Sequence, residues 1–163
     1  MSADDDVPLF RAPMRSRDDG VPDGAGVERG LRFGLCGMGG RLEGPPPSSL
    51  ADAVDAAAAQ HDDRLARRIE RFSDVPEGVF VWTRDIDGHY WLGRLAGPWR
   101  YDASDDARSV DLVHVRDCTW RSEPTDRSSV PDAVLATFGR GGRNWQRIRS
   151  ATGAAATADL WAR

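Results

Sequence analysis

The sequence predicts an α+β domain built from a small β-barrel, a long flanking helix and a short second helix. Residues 79–120 hold four of the six tryptophans, in apolar runs on either side of Asp87-Gly88. That dipeptide tolerates positive φ at both turn positions and therefore favours a hairpin. Residues 48–72 place apolar side chains at steps of three or four, as an amphipathic helix does. A chain of 163 residues can bury one hydrophobic core.

Residues 1–27 predict a disordered tail, because acidic runs, glycine and proline dominate and large apolar side chains are few. The single domain then covers residues 28–150. Alternating apolar positions predict a first strand over residues 28–38. The long helix follows over residues 49–72, and His61 lies on its apolar stripe. We interpret that histidine as a core or boundary residue rather than as a ligand.

The predicted barrel covers residues 79–150. Its hairpin pairs residues 79–83 with residues 89–95, and residues 110–120 form a third strand after a solvated loop over residues 102–109. A short helix over residues 131–137 precedes an arginine- and glycine-rich loop over residues 139–149. Residues 151–163 predict a loose C-terminal tail, and a docked helix at its end is the alternative.

Composition excludes several kinds of site. The formal net charge is −4, so nucleic-acid binding must come from a local basic patch. All 22 basic residues are arginine, which excludes Schiff-base lysines, phosphate loops ending in Gly-Lys and nuclease sites that need a lysine. Cys36 and Cys118 show neither metal-ligand spacing nor a disulfide framework, and they predict buried thiols in a reducing cytosol. Without a secretory signal or an apolar run of about 20 residues, we expect a cytoplasmic protein that does not contact membranes.

Catalytic and metal sites are not predicted. A nucleophile–base arrangement needs a serine or cysteine beside a histidine and an orienting acid. His89 and His114 lie on neighbouring predicted strands, but no serine has an elbow motif. The aspartates between residues 85 and 106 lie in predicted turns, where Asp commonly binds the local backbone. We therefore expect a chain that is not an enzyme and that binds neither cofactor nor metal.

Aromatic side chains are more numerous on the predicted hairpin and third strand than the core of a small barrel requires. Arginines alternate with them, and arginine beside aromatic faces is typical of pockets that hold an unstacked base. The alternative, that the rings only form the core, stays open. The residues that this hypothesis places at the site are Trp82, Arg84, Trp91, Arg94, Trp99, Tyr101, Arg116 and Trp120.

The loop over residues 139–149 carries arginines without a nearby acid. Its glycines expose backbone amides, and its arginines can bind phosphate in a bidentate manner. Two of its amide side chains can read a base edge, and Trp145 can wedge or stack. A solvated arginine-rich loop is the open alternative. The binding residues predicted in this loop are Arg140, Arg143, Asn144, Gln146 and Arg147.

Four segments occur in order and carry a family resemblance: VWTRD, YWLGRLAGPWRYD, VHVRDCTW and VPDAVLATFGRGGRNWQRI. They resemble the accessory N-terminal module of Mrr-type restriction-system proteins, which is itself similar to the EVE and YTH domains of the PUA superfamily. The resemblance covers roughly residues 75–150. It implies a PUA/EVE-like β-barrel that captures a modified, flipped base in an aromatic cage. It also implies that Trp82 and Thr83 lie at the pocket-lining end of the first barrel strand.

Residues and resemblance together predict a nucleic-acid-binding module. We expect it to recognise a modified, flipped base, in DNA rather than RNA, in a restriction or defence setting. These residues hold no nuclease domain of the kind attached in Mrr-type proteins, so the expected protein partner is a separate nuclease or defence protein. The alternative is a protein-interaction module with an SH3- or Tudor-like barrel, whose aromatics grip a peptide or a methylated side chain.

Overall fold

The computed structural model describes residues 6–163, and one seven-stranded sheet runs through it. The strands are β1 (Leu9–Arg11), β2 (Leu35–Met38), β3 (Phe80–Arg84), β4 (Tyr90–Leu95), β5 (Arg100–Tyr101), β6 (His114–Trp120) and β7 (Gln146–Ile148). Their hydrogen-bonded order is β2-β6-β4-β3-β1-β7, and β5 pairs with β6. Every pair is antiparallel except β1 with β3. The sheet is a curled half-barrel.

Helices cover both faces of this sheet. They are α1 (Ala25–Phe33), α2 (Leu50–Gln60), α3 (Asp63–Asp74), α4 (Asp105–Ser109), α5 (Asp132–Gly139) and α6 (Ala151–Ala162). One hydrophobic cluster joins the sheet to α1, α2 and α3, and a second joins it to α5 and α6. The predicted α+β class is therefore confirmed. Within residues 6–163, no helix has the length and apolar character needed to cross a bilayer.

The predicted N-terminal tail contains a strand, so that prediction is wrong for the residues described, while residues 1–5 lie outside them. Strand β1 lies inside the sheet, parallel to β3 and antiparallel to β7. Leu9 is 1% exposed, and it packs in the hydrophobic cluster that joins the sheet to α5 and α6. An apolar stretch this short has no usable periodicity, and only its long-range pairing makes it a strand.

The predicted first strand over residues 28–38 is a helix followed by a strand. Helix α1 ends at Gly34, whose φ of 68° and ψ of 45° is the left-handed conformation in which many helices terminate. Strand β2 begins at the next residue and pairs with β6. The alternation of apolar residues in this glycine-rich run fits both structures, and the position of Gly34 separates them.

The predicted long helix is broken into α2 and α3. His61 leaves the helical conformation with φ −120° and ψ −97°. Asp62 then caps α3, since its Oδ1 accepts a hydrogen bond of 2.7 Å from the amide of Leu65. His61 is exposed at this break, and its predicted place in the core or at its boundary is wrong. The capping sequence His61-Asp62-Asp63 was the local signal for the break.

The predicted C-terminal tail is helix α6, in agreement with the docked alternative. Ser150 caps it by accepting a hydrogen bond of 2.9 Å from the amide of Gly153. Thr157 on its buried face accepts a bond of 3.1 Å from the indole nitrogen of Trp82. Trp161 packs against Phe80 with ring centroids 6.0 Å apart. The helix is largely alanine, so it lacks a strong apolar stripe that the sequence could reveal.

The hairpin prediction is confirmed by β3 and β4, which pair antiparallel from Phe80 with Arg94 to Arg84 with Tyr90. Gly88 has φ 86°, as the turn requires. The third strand begins at His114, later than predicted. The predicted solvated loop contains the short helix α4, capped by Ser104, whose Oγ accepts a hydrogen bond of 3.2 Å from the amide of Ala107. The predicted short helix is α5, and β7 forms inside the arginine- and glycine-rich loop.

Candidate nucleic-acid interface

A cleft of about 560 Å³ opens between the start of α3, the segment after β1, the loop after β2 and the loop before β7. We call it the arginine cleft, because five arginines line it. They are Arg15, Arg17, Arg41, Arg68 and Arg143. A cleft of this volume lies within the range of sites that enclose small organic ligands or a single nucleotide.

The apolar lining of the arginine cleft comes from Met38, Leu65 and Trp145, each at most 9% exposed. Trp145 stacks on Phe10 with centroids 4.7 Å apart and planes 14° apart. It also meets the edge of Phe72 at 4.9 Å. These contacts fix the indole plane, so part of a rigid aromatic ring lines the cleft.

Polar groups of the arginine cleft are arranged as hydrogen-bond donors and acceptors. Arg17 Nη2 donates to Asn144 Oδ1 at 2.9 Å, which leaves the Asn144 Nδ2 hydrogens for a ligand. His61 Nε2 lies 2.7 Å from the carbonyl oxygen of Arg41. Because a carbonyl oxygen only accepts, Nε2 is the donor of this hydrogen bond, and Nδ1 is left for a ligand. Such paired donors and acceptors can read the edge of a base.

Four carboxylates also line the arginine cleft, namely Asp18, Glu43, Asp62 and Asp111. Asp111, 8% exposed, accepts from the Gly40 amide at 3.0 Å and from Ser16 Oγ at 2.7 Å. Its φ of 52° is rare for a residue other than glycine. Such backbone strain is typical of places that the surrounding structure holds in position, and here Asp111 joins the loop after β2 to the segment after β1.

Two exposed acids, Asp18 and Asp19, form ion pairs with arginines of the cleft. Asp18 accepts from Arg41 Nη2 at 2.5 Å and from the Gly20 amide at 2.8 Å. Both hydrogen bonds lower the pKa of Asp18, and the bond from the Gly20 amide has the larger effect. Asp19 accepts from Arg143 Nη2 at 3.2 Å, and its side chain is 91% exposed. Exposed ion pairs contribute less than about 1 kcal/mol, so an incoming anion can replace these carboxylates.

Arg68 differs from the other arginines of the cleft, because within residues 6–163 it forms no hydrogen bond or ion pair. Burial lowers the pKa of its guanidinium, and the neighbouring charge of Arg17 lowers it further. Like charges in a partly buried cleft repel each other, and an anion between them relieves that repulsion. The Asp62 carboxylate, whose charge raises the pKa of Arg68, opposes these effects in part. Arg68 and Arg17 therefore mark a position that favours a negatively charged group.

Arg11, which is 6% exposed, holds the loop that carries Arg143 and Asn144 in position. Arg11 Nη1 donates to the carbonyl oxygens of Thr137 at 2.9 Å and Gly141 at 3.0 Å. Its Nε donates to the carbonyl oxygen of Asn144 at 3.2 Å. Burial lowers the pKa of this guanidinium, and Arg140 lowers it further. Arg11 thus positions one wall of the cleft without lining it.

His114 supports the opposite wall. Its Nε2 lies 3.0 Å from the carbonyl oxygen of Gly40, and the ring is fully buried beside Trp99 and Tyr101. Nδ1 has no hydrogen-bond partner among the residues described. Burial lowers the pKa of His114 to about 4. The ring is therefore neutral at neutral pH.

This low pKa makes the stability of the fold depend on pH. Below pH 6.5 the unfolded chain gains a proton at His114 that the folded chain accepts only near pH 4. The free energy of unfolding should therefore decrease as the pH falls through this window, by at most about 3 kcal/mol. Urea unfolding at pH 7 and pH 4.5 measures the decrease, and His114→Phe should lose less stability over the same interval. Equal losses in both proteins would show that other groups cause the dependence.

The aromatic pocket predicted on the hairpin and third strand is closed at three of its residues, Trp82, Thr83 and Arg116. Trp82 and Thr83 are fully buried, and Thr83 Oγ1 donates to the carbonyl oxygen of Ala12 at 2.7 Å. Arg116 is 2% exposed and donates to the carbonyl oxygens of Gly97, Phe72 and Val75. The prediction that these residues contact nucleic acid is wrong, because their side chains are buried.

The remaining predicted residues of the sheet are partly exposed but engaged in the fold. Trp91 Nε1 donates to Asp85 and Trp120 Nε1 donates to the Leu35 carbonyl. The Tyr101 hydroxyl accepts from the Leu42 amide at 2.9 Å. Trp99 stacks on His114, and Arg94 lies over the ring of Phe80 at 4.6 Å. None of these side chains lines the arginine cleft. The open alternative, that the aromatic rings only form the core, is therefore correct for most of these residues.

Of the binding residues predicted in the arginine- and glycine-rich loop, some line the arginine cleft and others do not. Arg143 and Asn144 line the arginine cleft. Arg140, Gln146 and Arg147 are exposed and do not. Arg84, predicted on the hairpin, is exposed with its guanidinium 5.7 Å from the Phe138 ring, outside the cleft. The arginines that sequence reasoning missed are Arg15, Arg17, Arg41 and Arg68.

A possible cation position lies in the hairpin turn, where the ligand atoms of Asp85, Asp87 and His89 are within 4.8 Å of one another. Asp85 already accepts hydrogen bonds from the amides of Asp87 and His89 at 3.0 and 2.9 Å. These bonds account for the acid as a turn-forming residue, so the cluster has an explanation without a metal.

Comparison with known proteins gives one kind of match. No protein-family model and no curated protein matches the sequence. Among solved structures, the chain is similar to the YTH domain of the Zygosaccharomyces rouxii MRB1 protein, whose structure is a complex with N6-methyladenosine RNA. The two are 12% identical, the match covers 99% of this chain and 90% of that chain, and the TM-score is 0.47. A likeness this distant transfers neither a ligand nor a binding residue.

Proposed function

We propose that this protein binds nucleic acid and holds one unstacked nucleotide in the arginine cleft. The observation that carries the proposal is the composition of that cleft. It combines a fixed indole, five arginines and side chains with unused hydrogen-bonding atoms in about 560 Å³. A nucleotide needs all three, because its base stacks, its phosphate is anionic and its base edge carries donors and acceptors.

The phosphate belongs beside Arg68 and Arg17, since no carboxylate among residues 6–163 forms an ion pair with either guanidinium. Arg143 and Arg41 join it when the exposed carboxylates of Asp19 and Asp18 are displaced, while Arg41 keeps its 3.7 Å contact with the buried Asp111. The base then lies toward Trp145 and the free donors of Asn144. A base can reach such a recess only when it leaves the stack, which favours single strands or a flipped nucleotide.

A methylated lysine or arginine side chain fits the cleft poorly. Such a cation is bound by a cage of aromatic rings. Among the described residues, Trp145 is the one tryptophan, tyrosine or phenylalanine that lines the cleft, and a cation there would meet the arginine guanidiniums. The charge of the cleft therefore favours an anionic ligand over the peptide partner of a Tudor-like module.

Following the sequence resemblance, we propose that the base carries a modification and that the nucleic acid is DNA. The setting proposed is restriction or defence, with recognition by this chain and cleavage by a separate nuclease. The chain itself has no catalytic role in this proposal. Its task is to hold one nucleotide long enough for the partner protein to act.

Fluorescence anisotropy with labelled 12-nucleotide strands and duplexes tests the proposal, using DNA and RNA with and without one modified base. Arg68→Gln with Arg143→Gln should weaken binding by about 10- to 100-fold and reduce the slope of log affinity against log salt by about two. Arg100→Gln with Arg127→Gln is the matched control, because both arginines are exposed and neither lines the cleft. Absence of binding to every nucleic acid at low salt, or equal weakening in both double variants, would contradict the proposal.

A further inference from the structure

A second depression lies beside the turn between β3 and β4 and has a volume of about 270 Å³. Arg15 lines both this depression and the arginine cleft. A smaller hollow of about 200 Å³ is lined by Arg15 and Arg143 as well. The three recesses therefore adjoin one another along one surface. We call the second depression the hairpin groove.

Arg84 is an exposed cation of the hairpin groove, and its guanidinium lies over the Phe138 ring at 5.7 Å. Two carboxylates lie nearby. Asp85 is occupied by the Trp91 indole at 2.9 Å and by backbone amides, and Asp23 lies 3.6 Å from Arg15. Arg84 forms no hydrogen bond or ion pair within the described part of the chain. Its guanidinium edge is thus available to an anion.

The backbone at the groove is open to close approach. Gly141 and Gly142 line it, both are exposed, and their φ angles are 75° and 104°. These left-handed conformations favour glycine, and without side chains the backbone can come close to a ligand. The Gly141 amide donates to the Phe138 carbonyl at 3.1 Å, so the amide offered to a ligand is that of Gly142. A Cβ at Gly142 would also lie 2.9 Å from the Arg11 guanidinium that holds the loop.

The groove also has an apolar tip. Ile86 is 67% exposed, which is unusual for a large apolar side chain, and it lies in the turn at the groove. A Cβ at Gly24 would come within 2.8 Å of the Ile86 Cβ, so a glycine at that position is what lets the turn pack against the start of α1. The side chain is therefore presented on a braced turn and not on a free loop.

We propose that the hairpin groove is a second nucleotide subsite, which holds the phosphate and base next to the nucleotide in the arginine cleft. Arg84 binds the phosphate, the amide of Gly142 approaches the strand, and Ile86 packs against the neighbouring base. This inference rests on the proposed function of the cleft. Exposed apolar side chains beside arginines are what wedge-type contacts to bases require. The occupant is one continuous nucleic-acid strand, because the recesses adjoin.

Ligand length separates the two subsites. A labelled dinucleotide can fill the arginine cleft, whereas a labelled 12-nucleotide strand can fill the cleft and the groove together. Arg84→Gln should weaken binding of the 12-nucleotide strand by about threefold to tenfold and lower its salt slope by about one. Ile86→Ser should weaken it by about fivefold without changing the slope. Both variants should bind the dinucleotide within about twofold of the parent protein.

The controls are Arg127→Gln, an exposed arginine outside the groove, and Phe33→Ser, since Phe33 is the other large apolar side chain exposed among residues 6–163. Unchanged binding of the 12-nucleotide strand in Arg84→Gln and Ile86→Ser, with loss in Arg68→Gln, would overturn the second subsite and leave the proposed function standing. Equal loss for both ligands would also overturn it, because the groove would then act through the cleft. If the parent protein binds neither ligand, both proposals are wrong. Thermal melts confirm that each variant is folded.

Discussion

Replacing Arg116 by alanine should lower the free energy of unfolding by about 3–5 kcal/mol. Its guanidinium is buried and donates to the Gly97 carbonyl at 2.7 Å, the Phe72 carbonyl at 2.9 Å and the Val75 carbonyl at 2.6 Å. Two of these oxygens lie at the end of α3, so Arg116 also neutralises the negative end of that helix. Alanine would leave three buried acceptors without donors and a cavity beside Phe72.

Two further variants identify the cause of that loss. Arg116→Met fills most of the volume but donates no hydrogen bond, so it should remain destabilised by about 2–3 kcal/mol. Arg100→Ala is the matched control, since Arg100 pairs with Asp117 at 2.9 Å with both side chains about half exposed, and its loss should stay below about 1 kcal/mol. Urea unfolding measures all three. A loss below that of Arg100→Ala would show that Arg116 does not hold the end of α3.

Replacing Trp145 by alanine should destabilise the protein by about 3–5 kcal/mol and weaken nucleic-acid binding in the molecules that remain folded. The indole is stacked on Phe10 at 4.7 Å and meets Phe72 at 4.9 Å, so its removal opens the core under the cleft. It also removes the aromatic wall against which we place the base. Stacking on an aromatic ring contributes about 1–3 kcal/mol per base, and binding should weaken accordingly.

Trp161→Ala separates these two effects. Trp161 packs against Phe80 at 6.0 Å in the second hydrophobic cluster and lines none of the three recesses. Its removal should lower the thermal midpoint but leave affinity unchanged at temperatures where the protein is folded. Anisotropy at 10 °C, together with circular dichroism melts, compares the two variants. If both lose affinity in proportion to their stability, Trp145 has only a structural role.

The parts of the fold that the sequence predicts are those with strong local signals. The hairpin was evident from Asp87-Gly88 between apolar runs, and its register follows from that turn. Strand β1 has no such signal, because three residues gain their structure only by insertion between β3 and β7. The break between α2 and α3 was encoded locally by Asp62, but the continuing apolar period of the helix concealed it.

The arginine cleft could be predicted only in part. Arg143 and Asn144 stand out because the loop around them holds arginines without acids. Arg17 and Arg68 do not, since one lies in a segment that reads as a tail and the other on what reads as the solvated face of a helix. The cleft brings together side chains far apart in the chain, as the 2.9 Å contact of Arg17 with Asn144 demonstrates. No local pattern encodes that distance.

Because tryptophan is abundant on the hairpin, the sequence predicts a binding surface there, whereas the structure uses most of these rings in the core. The indole nitrogen of Trp82 donates to the hydroxyl of Thr157, which lies on α6, a segment that the sequence predicts to be a tail. If the helix that packs over these rings is not predicted, the rings of the core look more numerous than the core needs. Here that helix is α6, and its alanine-rich sequence gave little reason to expect it.

The position of β1 has a consequence for how the protein is made. Leu9 pairs with Phe80 on one side and with Ile148 on the other, so the sheet joins strands that are far apart in the chain. During synthesis from the N-terminus, the pairing with Phe80 can form first, but the pairing with Ile148 must wait until β7 has left the ribosome. The arginine cleft has walls from both regions, so it cannot form before β7 emerges. Ligand affinity should therefore be absent from nascent chains that stop before β7.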